Sequence, residues 1–177
     1  MKKITLTFGL VSGAIIIAYT FAVLIIFGDF SKMSSNEFQM VELLGYLRYL
    51  IILVTVFFAM RTFIRKSGQS FNYWQIVKQG IMVTLLVAFL IGIMEYVYMI
   101  VNPDFYENYG NMYTSQLKLH GATTETLDRA KQEMSNYKWM QNPLMTGIFY
   151  FFETAVIGSV ASLIIGLFLK KQVIKPN

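Results

Sequence analysis

Cysteine is missing from this chain, and histidine occurs once, at His120. The first absence excludes disulfide staples, thiolate nucleophiles and cysteine metal sites; the second excludes imidazole clusters. Charge is also scarce. Only 14% of the 177 residues carry one, against 55% hydrophobic residues, which places the chain far on the apolar side of soluble domains. No phosphate-binding glycine loop, nucleophile–base pair, metal-ligand spacing or paired carboxylates of a soluble cleft is present. The sequence therefore predicts a non-enzyme with no cofactor and no metal site.

What is abundant is apolar sequence in long runs. About 20 apolar residues cross a hydrocarbon core roughly 30 Å thick, and four such runs occur, at residues 4–27, 43–60, 80–101 and 143–169. The first follows Lys2 and Lys3 but is longer than a signal-peptide core and has no Ala-x-Ala cleavage site after it, so it reads as a retained span. The second ends at Arg61, Arg65 and Lys66, with a polar turn at Ser67–Ser70, and Pro103 ends the third. One membrane domain, an all-α bundle of four transmembrane helices, accounts for the chain.

Fifteen bases against ten acids could point to nucleic acid, but their placement follows topology instead. Lys2, Lys3, Arg61, Arg65, Lys66, Lys78, Lys170, Lys171 and Lys175 fall on one face with no acid among them. By the positive-inside rule that face is cytoplasmic, and both termini with it. The other face mixes Lys32, Lys118, Arg129, Lys131 and Lys138 with Asp29, Glu37, Glu42, Asp104, Glu107, Glu125, Asp128 and Glu133. Tyr46, Tyr49, Tyr96 and Tyr98 near one boundary, and Tyr73 and Trp74 near the other, fit interfacial aromatic belts.

Residues 103–140 are neither apolar nor of low complexity. From Thr123 the sequence has a Thr cap, first-turn acids, and Leu127, Ala130, Met134 and Tyr137 at helical spacing. The preceding segment is its antiparallel partner, with Gly121 as the turn and Gly110 counting against a helix there. An extracytoplasmic helical hairpin between the third and fourth spans is expected. His120 reads as a helix-end residue, and the eleven scattered methionines read as gap fillers.

Three charges remain inside the spans: Arg48, Glu95 and Glu153. At about 1.5 Å per residue all three lie in the outer half of the bilayer, where an unpaired charge costs on the order of 2.5–3.5 kcal/mol or more. We expect Arg48 to lie between the second, third and fourth helices and to take one or both carboxylates. A register-fixing ion pair is the favoured role; transport, proton movement or ligand binding is the alternative. Small residues recur in four-residue steps: Thr5, Gly9 and Gly13; Gly80, Thr84, Ala88 and Gly92; Thr154, Gly158, Ser162 and Gly166. Such stripes let membrane helices approach closely, and packing within one bundle is favoured over a dimer face.

The segments "FFAMRTFIRKSGQSFNYWQIVKQG", "VNPDFYENY" and "NPLMTGIFYFFETAVIGSVASLI" together resemble the bacterial membrane-protein family catalogued as domain of unknown function 4199, similar in length and span count over nearly the whole chain. The family's recurrent features correspond here to Arg61 and Arg65, Pro103 to Phe105, Asn142 and Pro143, and Glu153. Ala155, Val156 and Ile157 stand where the family has a proline, so the kink that proline would give the fourth span is left open. The resemblance implies no catalytic role, and it implies a membrane glycosyltransferase as a partner. The expectation that follows is a non-catalytic accessory or structural subunit of an inner-membrane complex, touching lipid and another membrane protein. A small ion- or proton-coupled transporter or a lipid-binding protein using Arg48, Glu95 and Glu153 is the competing one.

Overall fold

The computed structural model of the chain describes residues 2–27, 34–67 and 72–173. Asp29, Lys32, Lys175, the polar turn at 68–70 and the side chain of Lys171 lie outside the described residues. The elements are α1 (Lys2–Phe27), α2 (Ser35–Ser67), α3 (Tyr73–Val101), α4 (Phe105–Leu119), α5 (Thr124–Asn136), a 3₁₀ turn (Lys138–Gln141) and α6 (Pro143–Val173). No strand occurs among the described residues. Four of the helices, α1, α2, α3 and α6, are long and apolar enough to cross a membrane.

Helix ends follow local chemistry rather than the edges of the apolar runs. α2 begins well before residue 43 because Ser34 and Glu37 form a capping box: the Ser34 amide donates to Glu37 Oε2 at 2.8 Å, and the Glu37 amide to Ser34 Oγ at 3.4 Å. The same Ser34 contacts hold the Glu37 carboxyl below the usual carboxylate range. α3 starts at Tyr73 because Asn72 caps it and Gln75 returns the bond. Asn142 Oδ1 accepts from the amides of Leu144 and Met145 at 3.0 and 3.3 Å, with Pro143 at the first helical position, where its missing N–H costs nothing. α6 then runs unbroken past Glu153.

The centre of the bundle is the antiparallel α3–α6 pair. A Cβ built on Gly80 would lie 2.6 Å from Ser162 Oγ, one on Gly158 would meet Thr84, and one on Gly92 would lie 2.8 Å from the Gly147 carbonyl oxygen. Gly166 sits against Val77 and Tyr73 in the same way. Gly147, absent from the stripe read in the sequence, is thus part of the contact. α1 runs parallel to α3 and lays Gly9 and Gly13 on Leu86 and Leu90. The buried Gln79 amide donates to Thr5 Oγ1 at 3.1 Å. α2 closes the bundle, its Thr55 hydroxyl donating to Ser12 Oγ at 3.0 Å and its Leu44 carbonyl accepting from the Tyr19 hydroxyl at 2.8 Å. Ile16, Ile52, Met60, Val87 and Ile91 fill the space between.

α4 and α5 form a helical hairpin over one end of the bundle. Its turn needs Gly121, which has φ +75°, and the Ala122 and Gly121 amides bond back to Leu117 and Lys118 in a Schellman arrangement. Gly110 does not interrupt α4. It faces α5, where a Cβ would lie 3.0 Å from Met134 Cε, so the glycine serves close approach of the two helices.

The α3–α6 contact predicts a sharp positional contrast. Gly158→Leu should destabilise the bundle by about 1–3 kcal/mol through overpacking. Gly45→Ala, where a Cβ meets nothing within 4 Å, should change stability by no more than about 0.5 kcal/mol. Thermal or denaturant unfolding in detergent micelles measures both.

Candidate functional site

The structure brings Arg48, Glu95 and Glu153 together beneath the hairpin. Arg48 Nη2 donates to Glu153 Oε2 at 3.0 Å, and Nη1 lies 3.8 Å from Glu95 Oε1. The first is an ion-paired hydrogen bond; the second is a charge contact beyond hydrogen-bonding distance. α2 supplies Arg48 and Tyr49, α3 supplies Glu95, and α6 supplies Tyr150 and Glu153 three residues apart on one helix face.

Two tyrosines complete the cluster, and the sequence reading did not place them there. The Tyr49 hydroxyl accepts from Arg48 Nη2 at 2.7 Å and donates to Glu153 Oε1 at 2.7 Å, closing a three-membered ring of hydrogen bonds. The guanidinium carbon stands 4.8 Å from the ring centroids of both Tyr49 and Tyr150. The Arg48 charge is therefore met by a carboxylate at its edge and by aromatic faces, an arrangement in which cation–π attraction adds to the ion pair. Tyr49 had been legible only as a boundary residue. No linear signal marked its second role, since neighbouring residues on a helix do not share a face.

A chamber of about 470 Å³ opens above this cluster, lined by Arg48, Tyr49 and Glu153 below, by Glu42 and Tyr46 on α2, and by Tyr106 and Tyr109 on α4. A smaller cavity of about 120 Å³ lies behind it against Glu95. Phe105, Tyr106, Tyr150 and Leu24 line both. At the chamber mouth the Tyr109 hydroxyl donates to Glu42 Oε1 at 3.5 Å. Burial first, and the Glu42 charge second, push that hydroxyl up to about 12, so it stays a proton donor at physiological pH. Met112 anchors this end of α4, packed against Phe27, Val41, Phe105 and Tyr109.

The packing residues all serve contacts within the chain: Gly9 and Gly13 between α1 and α3, and Gly80, Gly92, Gly158, Ser162 and Gly166 between α3 and α6. His120 is the C-terminal cap residue of α4. Among the described residues no group of three or more His, Asp or Glu side chains is arranged to hold a metal ion.

These features define a multi-pass helical membrane protein with a hairpin covering an intramembrane charge cluster. The family model described as "Protein of unknown function (DUF4199)" matches residues 7–171, and the chain belongs to that family. No curated protein and no solved structure matches it.

The cluster predicts non-additive mutational effects. Arg48→Met strands Glu153 without its cation and should cost about 3–5 kcal/mol, whereas Arg48→Met with Glu153→Met should recover most of that loss. Tyr49→Phe should cost about 1–3 kcal/mol by leaving partners unsatisfied. A double-mutant cycle read by unfolding in detergent checks all three.

Proposed function

We propose that the protein is a non-catalytic accessory subunit of the bacterial cytoplasmic membrane, with both termini cytoplasmic and the α4–α5 hairpin outside, offered to a membrane partner. The hairpin carries this reading. It is held to the bundle by the Met112 cluster and by α6, which begins directly after the 3₁₀ turn, and it presents a groove of about 450 Å³ between its helices, lined by Asn111, Lys131, Met134, Ser135, Tyr137 and Lys138 among others. Leu119 at its tip is 79% exposed and Tyr137 is 51% exposed. A braced, grooved platform with exposed apolar side chains suits docking to a protein.

The orientation is supported by the gathering of Lys2, Lys3, Arg61, Arg65, Lys66, Lys78 and Lys170 at the end of the bundle opposite the hairpin, since cytoplasmic ends of membrane proteins are enriched in bases. A membrane glycosyltransferase is the partner to which the family resemblance points.

Purification from native membranes in mild detergent should yield a stoichiometric partner. A photo-crosslinker at Ser135 should capture it, and Tyr137→Ala should release it. A lone monomer or homodimer, with crosslinks only to lipid, sinks the accessory reading. Cysteines introduced at Leu119 and at Lys2 should label from outside and inside intact cells respectively; the reverse pattern overturns the orientation.

A further inference from the structure

We propose that the chamber beneath the hairpin is a binding site for an alkylammonium group. This inference is independent of the accessory role. It rests on three properties of the chamber that point to one chemistry.

The first is charge. The chamber wall holds one cation, Arg48, and two carboxylates, Glu42 and Glu153, with Glu95 on the far side of the Tyr106–Tyr150 wall. Arg48 is already matched by Glu153 at 3.0 Å and shielded by the rings of Tyr49 and Tyr150. Among the described residues no cation pairs with Glu42, whose one hydrogen bond is the long contact from Tyr109. Even with Glu95 protonated the cluster of Arg48, Glu153 and Glu42 sums to one negative charge. Its complement is a cation.

The second is the character of the remaining surface. Tyr46, Tyr49, Phe105 and Tyr109 line the same chamber as the Glu42 carboxylate, so its surroundings are largely aromatic. A hard metal ion needs several oxygen ligands at about 2–2.6 Å, and no such group of carboxylates exists among the described residues. Aromatic faces beside one carboxylate suit instead an organic ammonium, whose nitrogen meets Glu42 while its methylenes and charge lie against the rings. The third is size and access. About 470 Å³ is ample for a small amine or a lipid headgroup. The rim includes Gly45, which is exposed and beside which the space is empty, so the chamber is open along this side of α2.

Such a group is carried both by ethanolamine headgroups and by free amines, and the test separates them. Full-length protein in phosphatidylglycerol nanodiscs is titrated with ethanolamine, with ethylene glycol as its uncharged match, and a parallel series of discs contains phosphatidylethanolamine. The melting temperature should rise saturably with the ammonium species and not with the glycol. Glu42→Gln should weaken the response at least tenfold. Gly45→Leu, at a chamber-lining position where a Cβ meets nothing within 4 Å, should abolish it while the protein still melts cooperatively. Glu125→Gln, on the exposed face of α5, should leave it unchanged. A response confined to the lipid series assigns the site to a headgroup; a response to ethanolamine in solution assigns it to a free amine. No saturable response in either series, an equal response to ethylene glycol, or a full response in Gly45→Leu overturns the proposal.

Discussion

Helices in hydrocarbon gain little by covering apolar surface against one another, because the lipid they displace is equally apolar. Association must come from close contact of backbones and from polar pairs. In this protein the α3–α6 seam meets that requirement through glycine and small polar residues from Gly80 against Ser162 to Gly92 against Gly147. That close pairing puts α3 at the centre, with α1 lying along it through Gly9 and Gly13 and α2 spanning the gap to α6. The apolar side chains left outward on α1 and α2, Ile25 and Leu43 for example, face the lipid.

The charge cluster is the second consequence of the same pairing. Gly92 lets α3 lie against α6 at Gly147, and Glu95, about one turn further along α3, lines the small cavity that Tyr150 of α6 also borders. Arg48 reaches both carboxylates from α2. The hairpin then decides what the cluster meets. α4 lays Phe105, Tyr106 and Tyr109 over it, which turns a charged spot in a membrane into a roofed chamber, open at the side, with the Glu42 carboxylate at its mouth. Cluster, cover and chamber are thus produced together by the α3–α6 register and by the Asn142–Pro143 start of α6, which joins hairpin to span.

Much of the fold was legible because each signal was local. The four spans appear as apolar runs, the Thr123 cap and Gly121 turn mark the hairpin, and the three intramembrane charges stand out by cost. Gly110 was read by its propensity as a helix breaker, whereas its role is tertiary: Met134 of α5 packs against it. Gly147 lies outside the four-residue stripe because two helical turns take about seven residues, which puts it on the face of Thr154 where a strict four-residue step would miss it. Tyr49 resembles a boundary aromatic in a linear reading and Tyr150 is one aromatic among several in the fourth span, and only the crossing of α2 and α6 sets their rings around one guanidinium.

By itself the sequence determined that lipid surrounds four helices, where those helices carry charge, and that a hairpin separates the last two. Each of those follows from side-chain solvation and from bonds closed within a few residues, which do not depend on what lies across the bundle. Only the tertiary structure decided which carboxylate Arg48 bonds, that aromatic rings shield it, and that a chamber remains above it. Those depend on distances of a few ångströms between segments up to about a hundred residues apart, set by a helix register that no local pattern encodes.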